Sequence, residues 1–264
     1  MKRCMLCVCL LGLGWASVGR AQQDTLKVVY GDFVTPPAIV RNDLQQVTGG
    51  YLLDIYQLLG NELKLPLELV SLSRLHVAVA LLRREADLYC RANPAWYPEP
   101  MLRWSPPLFS FADLLLSRQH SPELASLLQQ KAKIGTVRGY RYPKLDRHFQ
   151  HGELVRVDVP SSAGLVDLLN SNAVDAVVMA QPDAEYYLPL AELQQTALSH
   201  HKVHCMYSPR LTPLQRHRLS DFISAQAKQG TFRRLLARYR WGNTAGMAEP
   251  AQPAVPLSNQ TTLR

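Results

Sequence analysis

Two arginines stand where an α/β protein can bind an anion. Arg91 ends an apolar strand, and Arg138 follows a second strand at the start of a helix. A guanidinium group presents its N–H donors in a planar fork that matches a carboxylate by two parallel hydrogen bonds. Unpaired N–H groups at a helix start also attract negative charge. Both residues therefore predict contact with an anionic group, the alternative for each being a solvent-facing or structural role.

Three aromatic residues and one amide lie in loops next to predicted strand ends. Phe33 follows the first strand, Trp96 lies in a proline-rich segment, and Tyr140 lies in the turn after Arg138. Their rings suit the apolar or cation–π walls of a small-molecule site, although the segment around Trp96 also fits a plain surface loop. The predicted ligand-binding residues are therefore Phe33, Arg91, Trp96, Arg138, Tyr140 and Gln181.

Catalytic motifs are sparse in this sequence. It contains no Gly-x-Ser-x-Gly, no P-loop and no His-Glu-x-x-His. Near the predicted binding residues, general acid–base chemistry has only Glu99, Asp183 and Glu185 as acidic candidates. We therefore predict no catalytic residues.

A group of histidines next to a cysteine is the one set of residues with metal-ligand chemistry. His200, His201, His204 and Cys205 all fall within one predicted strand. Side chains alternate between the two faces of a strand, so His200 and His204 face one side while His201 and Cys205 face the other. This alternation disfavours a closed four-ligand site, and we predict neither a metal nor another cofactor.

A repeated unit supplies the elements that must position these residues. Residues 163–180 contain a short amphipathic helix, a polar turn, Asp175 and a buried β-branched strand. Residues 77–90 repeat that order around Asp87. The spacing is too long for a solenoid repeat and suits two similar lobes.

The order of elements predicts an α/β fold. Strands alternate with helices in both lobes, which indicates mostly parallel sheets with helices on both faces. Two crossing strands are expected to join the lobes as a hinge, with a cleft at the carboxyl ends of the strands that closes on a small solute. The predicted segments are residues 22–118 (first part of lobe 1), 119–200 (lobe 2), 201–241 (return to lobe 1) and 242–264 (disordered tail).

The first 21 residues have the composition of a secretory signal peptide. Lys2 and Arg3 precede an apolar run at positions 5–15, and Gly19-Arg20-Ala21 is a small-x-small cleavage site. The apolar run is too short to span a bilayer, which disfavours the alternative of a membrane anchor. We predict an exported, periplasmic protein that is not embedded in the membrane.

Charge argues against nucleic acid as a partner. Removing the three basic residues Lys2, Arg3 and Arg20 lowers the formal charge from +8 to +5. The remaining basic residues are scattered rather than interleaved with aromatic residues as in a nucleic-acid groove. A monomer with a small-molecule solute as its partner is expected.

The chain resembles the family 3 extracellular solute-binding proteins, the amino-acid-type periplasmic receptors of ABC importers. The resemblance covers the predicted mature chain to about Trp241 and rests on short matches in the family's order. They are Pro36-Pro37, Gly50-Tyr51-Leu52-Leu53-Asp54, Ala86-Asp87, Trp104-Ser105-Pro106-Pro107, Ile134-Gly135 with Gly139, Val174-Asp175-Ala176 and the closing helix at Gly230. The resemblance implies a two-lobe periplasmic-binding-protein type II fold, an ABC permease or a membrane sensor as partner, and no catalysis.

The resemblance fails at both halves of the family's amino-acid clamp. The family has an arginine that holds the ligand's α-carboxylate where this chain has Tyr97-Pro98-Glu99. It has an aspartate that holds the α-amino group where this chain has Ala180. A buried ammonium without a carboxylate partner is strongly disfavoured, so a small polar or anionic solute is expected instead. The alternatives are an enzyme of the same fold that acts on a small cyclic acid, and an interaction module with an empty cleft.

Two cysteines remain after cleavage at the predicted site. Cys90 ends the strand after Asp87, and Cys205 lies in the returning strand. An even pair in an oxidising compartment favours a disulfide, and two buried thiols are the alternative. Thiol titration of the denatured, unreduced mature protein checks this hypothesis: a disulfide leaves no reactive thiol, and two reactive thiols would contradict it.

Overall fold

A computed structural model describes residues 25–97, 99–119, 122–242 and 261–262 of the 264-residue chain. The predicted signal peptide lies outside the described residues. So does the predicted disordered tail, except for Gly242 and for Thr261–Thr262, which form a short strand.

The elements alternate along the chain as the sequence predicts. The strands are β1 (Leu26–Gly31), β2 (Val40–Arg41), β3 (Val47–Gly49), β4 (Leu67–Leu72), β5 (Leu88–Ala92), β6 (Arg103–Trp104), β7 (Phe109–Ser117), β8 (Lys133–Val137), β9 (Val155–Val159), β10 (Ala176–Ala180), β11 (Gln194–Tyr207) and β12 (Thr261–Thr262). The α-helices are α1 (Tyr51–Leu63), α2 (Val77–Leu82), α3 (Leu124–Gln129), α4 (Pro143–Gln150), α5 (Ser162–Asn170), α6 (Gln181–Tyr187), α7 (Pro213–Lys228) and α8 (Thr231–Ala237).

Each lobe is built on a parallel sheet that is completed by the same two long strands. In lobe 1, β1 pairs in parallel with β4 and β5, and β12 pairs with β4. In lobe 2, β8 pairs in parallel with β9 and β10. Apolar clusters cover both faces of each sheet, as parallel sheets require. The predicted two-lobe α/β fold is confirmed.

Strands β7 and β11 form the connection between the lobes. They run antiparallel, from Phe109 opposite Val203 to Ser117 opposite Gln194. Beyond this ladder, β11 pairs with β5 in lobe 1, whereas β7 pairs with β10 in lobe 2. One hydrogen-bonded path therefore runs from lobe to lobe through the two crossing strands.

The repeated aspartates have one structural role in the two lobes. The carboxylate of Asp87 accepts a hydrogen bond from the Lys27 backbone N–H at 2.7 Å, and Asp175 accepts one from Lys133 at the same distance. Each aspartate N–H donates back to the same lysine's carbonyl oxygen. Each aspartate therefore hydrogen-bonds the backbone near the start of the neighbouring strand. These bonds fix the register between that strand and the strand that follows the aspartate.

Cys90 and Cys205 are joined by a disulfide between the neighbouring strands β5 and β11. Both residues are fully buried. Of the two alternatives for these cysteines, the structure contains the bonded pair. Among the helices that the structure describes, none has the length and apolar character needed to cross a membrane.

Tyr239, which follows α8, ties the end of lobe 1 to the start of α1. Its hydroxyl accepts a hydrogen bond from the Gly50 N–H at 3.2 Å and donates one to the Asp54 carboxylate at 3.0 Å. Gly50 has φ 114°, and a Cβ there would lie 2.3 Å from the Ala38 carbonyl oxygen, so only glycine fits this turn. The glycine and its tyrosine contact hold the first residue of α1, Tyr51, at the edge of the cleft.

We expect Tyr239→Phe to lower the free energy of unfolding by about 1–3 kcal/mol. The reason is that the Gly50 N–H and the Asp54 carboxylate lose their hydrogen-bond partner. Urea denaturation measures the change. Tyr186→Phe is the matched control, since the Tyr186 hydroxyl has no hydrogen bond to any described residue. Equal stability of the two variants would contradict this role for Tyr239.

Candidate functional site

Side chains from both lobes meet at the carboxyl ends of the parallel strands. Lobe 1 contributes residues that follow β1 and β4, the end of β5 and the start of α1. Lobe 2 contributes the turn after β8 and the first turn of α6. We call this group the cleft cluster; its members are Phe33, Tyr51, Arg74, Arg91, Tyr140 and Asp183.

Arg91 is the more buried cation of the cleft cluster, with 15% of its side chain exposed. Its Nε donates to the Tyr51 hydroxyl and its Nη1 donates to the Tyr140 hydroxyl, both at 3.3 Å. Its Nη2 lies 3.9 Å from an Asp183 oxygen, which is too long for a hydrogen bond. Burial acts to lower the pKa of Arg91, but Tyr140, Tyr51 and Asp183 raise it well above its usual value. The guanidinium is therefore a permanent charge that bridges the two lobes.

Arg74 is the second cation of the cleft cluster, and it makes cation–π contacts with two aromatic rings. Its guanidinium carbon lies 4.8 Å from the Phe33 ring centre and 4.4 Å from the Tyr140 ring centre. Phe33 belongs to lobe 1 and Tyr140 to lobe 2, so this contact also crosses the cleft. Tyr140 thus meets Arg74 with its ring and Arg91 with its hydroxyl.

Asp183 is the buried acid of the cleft cluster. Its Oδ2 accepts a hydrogen bond from the Ser162 hydroxyl at 2.7 Å, and its Oδ1 faces Arg91. Burial raises the pKa of Asp183, while Arg91 and the Ser162 hydrogen bond oppose the rise. The net upward shift means that Arg91 compensates this carboxylate only in part.

The structure brings three of the six predicted binding residues together and places the other three elsewhere. Phe33, Arg91 and Tyr140 belong to the cleft cluster. Gln181 accepts from the Ala112 N–H of β7 and donates to Glu185, so its amide serves the hinge and α6. Arg138 is exposed, and the structure gives its side chain no hydrogen bond among the described residues.

Trp96 packs at the hinge, where its ring lies 5.4 Å from that of His201. His201 Nε2 lies 2.7 Å from Asp113 and 3.1 Å from the Ser199 hydroxyl. A Ser-His-Asp relay needs the serine and the acid on opposite ring nitrogens. Both partners here meet the same nitrogen, so this group lacks the geometry of a nucleophilic triad.

The acidic candidates for catalysis have different surroundings. Glu185 pairs with Arg240 at 3.0 Å across the lobes. Glu99 has a buried Oε2 without a hydrogen-bond partner among the described residues. Those residues also contain no cluster of three or more His, Cys, Asp or Glu side chains able to hold a metal.

Sequence reasoning missed Tyr51 and Arg74 and considered Asp183 only as an acid–base candidate. Tyr51 could have been predicted, because it directly follows Gly49-Gly50 at the start of a helix. Arg74 lies in the turn before α2, at the carboxyl end of β4, the same kind of position that drew attention to Arg91. Its contact with two rings from different lobes has no local signal.

No protein-family model matches the chain, and no curated protein sequence matches it. Solved structures do match its fold. The ancestral cationic amino-acid solute-binding protein AncCDT-1 superimposes with a TM-score of 0.68 at 18% identity over 82% of this chain and 96% of its own. A second structure of AncCDT-1 is described as a precursor of cyclohexadienyl dehydratase.

Two further structures extend the similarity. The GluR0 ligand-binding core in complex with L-glutamate matches with a TM-score of 0.63 at 19% identity, over 83% of this chain and 99% of its own. The second substrate-binding domain of a Streptococcus pneumoniae protein assigned as an amino-acid ABC transporter matches with a TM-score of 0.58 at 16% identity. The match covers 82% of this chain and 100% of that domain. At such identities these similarities establish the two-lobe solute-binding fold and nothing finer.

We expect Asp183→Asn to change the pH dependence of stability. Between 3.8, the ordinary pKa, and the raised value in the fold, the native state keeps a proton that the unfolded chain has released. The Asp183 contribution to stability is thus largest below this window and falls as pH rises through it. Asparagine does not titrate, so the stability of the wild type minus that of the variant should decrease with rising pH.

Urea unfolding of both proteins over a series of pH values measures this difference. Asp167→Asn, which removes an exposed carboxylate from the neighbouring helix α5, is the matched control. A difference for Asp183→Asn that increases with pH would contradict the assignment.

Proposed function

We propose that this protein is a periplasmic solute-binding protein that captures a small carboxylate-bearing solute between its lobes. The observation that carries the proposal is the buried Arg91 guanidinium, which contacts lobe 2 from lobe 1. Its two hydrogen bonds to described residues go to neutral hydroxyls, and Asp183 lies beyond hydrogen-bond distance. Donors therefore remain for an anionic ligand, and a charged donor in a buried site binds a carboxylate strongly.

The surroundings of Arg91 support an anion rather than an amino acid. Ala180 offers no carboxylate to a ligand ammonium, and the two oxygens of Asp183 already face Ser162 and Arg91. The rings of Phe33 and Tyr140 provide flat walls on the two sides of the cleft. Since Tyr140 belongs to lobe 2 and Arg91 to lobe 1, a ligand held by both couples binding to closure.

The fold supports delivery of the solute to a membrane partner. The similar structures include a domain from a protein assigned to an amino-acid ABC transporter. An ABC permease or a membrane sensor is therefore the proposed partner, with the predicted signal peptide directing export. Solute screening of the purified protein by thermal shift identifies the ligand class, because a ligand that binds only the native state raises the melting temperature.

Arg91→Ala tests the proposal once a carboxylate that binds has been found. We expect the affinity to fall by about 100-fold or more, since truncating one partner of a buried charged hydrogen bond costs about 2–5 kcal/mol. Isothermal titration calorimetry measures the loss, and circular dichroism checks that the variant is folded. Arg91→Lys keeps the charge but not the planar fork and should bind with intermediate affinity.

Arg141→Ala is the matched control, because Arg141 is an exposed arginine beside Tyr140 that has no hydrogen bond or ion pair with a described residue. Unchanged affinity in folded Arg91→Ala would contradict the proposal. So would a loss in Arg138→Ala alone, since it would move the anion contact to the exposed arginine.

Catalysis on a small cyclic acid is the second candidate. It is favoured by Asp183, a buried carboxyl group whose pKa is raised by burial, since an upward pKa shift is the direction that general acid catalysis uses. One similar structure is described as a dehydratase precursor. Chromatographic detection of product during the solute screen separates this candidate from simple binding.

A further inference from the structure

Arg74 has the geometry of a ligand-binding group and no partner of opposite charge among the residues that the structure describes. Its guanidinium meets the faces of Phe33 and Tyr140, yet the residue is exposed. It makes no hydrogen bond and no ion pair with any residue that the structure describes. An arginine that stacks on rings keeps its N–H groups in the guanidinium plane, at the edges. Those edges are held in position and remain available to a planar acceptor.

The second guanidinium lies close to the first. Arg74 packs over the ring of Tyr140 while Arg91 donates to the hydroxyl of the same side chain. Tyr97 is a neighbour of both, since Arg74 and Arg91 each oppose the rise that burial causes in the Tyr97 pKa. Two cations are therefore within the span of one small molecule.

The acidic groups nearby offset this pair only in part, since Asp183 forms a long ion pair with Arg91 and Arg74 has no ion pair among the described residues. Asp183 faces Arg91 from 3.9 Å and hydrogen-bonds Ser162, and burial raises its pKa. A raised pKa lowers the cost of placing a second anion beside it. Glu99, whose Oε2 is buried, is a neighbour of Tyr97 rather than a partner of either arginine.

We propose that Arg74 and Arg91 form a two-arginine site for a dicarboxylate, with one carboxylate at each guanidinium and Tyr140 closing lobe 2 over both. This inference rests on the proposed function, in which Arg91 holds one carboxylate, and adds the second acidic group of the solute. Guanidinium and carboxylate are matched planar groups, so each contact is bidentate. Closure is then favoured by the ligand, because each anchored arginine also contacts Tyr140.

Matched pairs of acids test the site: succinate against butyrate, and glutarate against valerate. Isothermal titration calorimetry on the full wild-type protein should give at least tenfold tighter binding for the dicarboxylate of each pair. In Arg74→Ala the dicarboxylate affinity should fall to that of the monocarboxylate, with the monocarboxylate affinity unchanged. Arg141→Ala should leave all four affinities unchanged.

The possible failures can be told apart. Equal affinities for the two acids of each pair overturn the two-arginine site while the proposed function stands. No binding of any of the four acids overturns the two-arginine site alone, because the proposed function is decided by the wider solute screen. Tighter binding of agmatine, a guanidinium compound, to Arg74→Ala than to the wild type also overturns the site, because Arg74 would then be an internal occupant of the aromatic wall.

Discussion

The pairing of β7 with β11 is the constraint on which the rest of this structure depends. The ladder from Phe109–Val203 to Ser117–Gln194 leaves each strand free to continue into a different lobe. Because β11 then pairs with β5 and β7 with β10, the two parallel sheets are held with their carboxyl ends towards the same cleft. The position of every residue in the cleft cluster follows from that arrangement.

The cleft concentrates charge that the lobes themselves balance only in part. Arg91 is buried among hydroxyls, Arg74 rests on rings, and Asp183 lies just beyond hydrogen-bond distance of Arg91. A buried charge without close compensation is costly in a purely structural role. The same arrangement is favourable when a small anion completes it, and this is the physical basis of a binding function.

Local patterns predicted the fold. Of the six binding residues that they predicted, three lie in the cleft cluster. Asp87 and Asp175 were recognised as a repeat because both precede buried strands, and both bind the backbone of a neighbouring strand. Arg91 and Tyr140 were recognised from their places at the ends of elements. Gln181 and Trp96 have similar places, yet one bonds the hinge backbone and the other packs on a hinge histidine. Nothing in the local sequence separates the two outcomes.

The sequence by itself determined the alternation of strands and helices, the internal repeat and the chemistry available at the strand ends. These properties depend on hydrophobic periodicity and turn residues, which act over a few neighbours in the chain. Tertiary structure alone decided that Arg74 and Arg91 both contact Tyr140. It also decided that Arg91 donates a hydrogen bond to Tyr51 and that Arg138 is exposed to solvent. Those contacts join residues from separate elements and separate lobes, so their geometry depends on how β7 and β11 set the two sheets against each other.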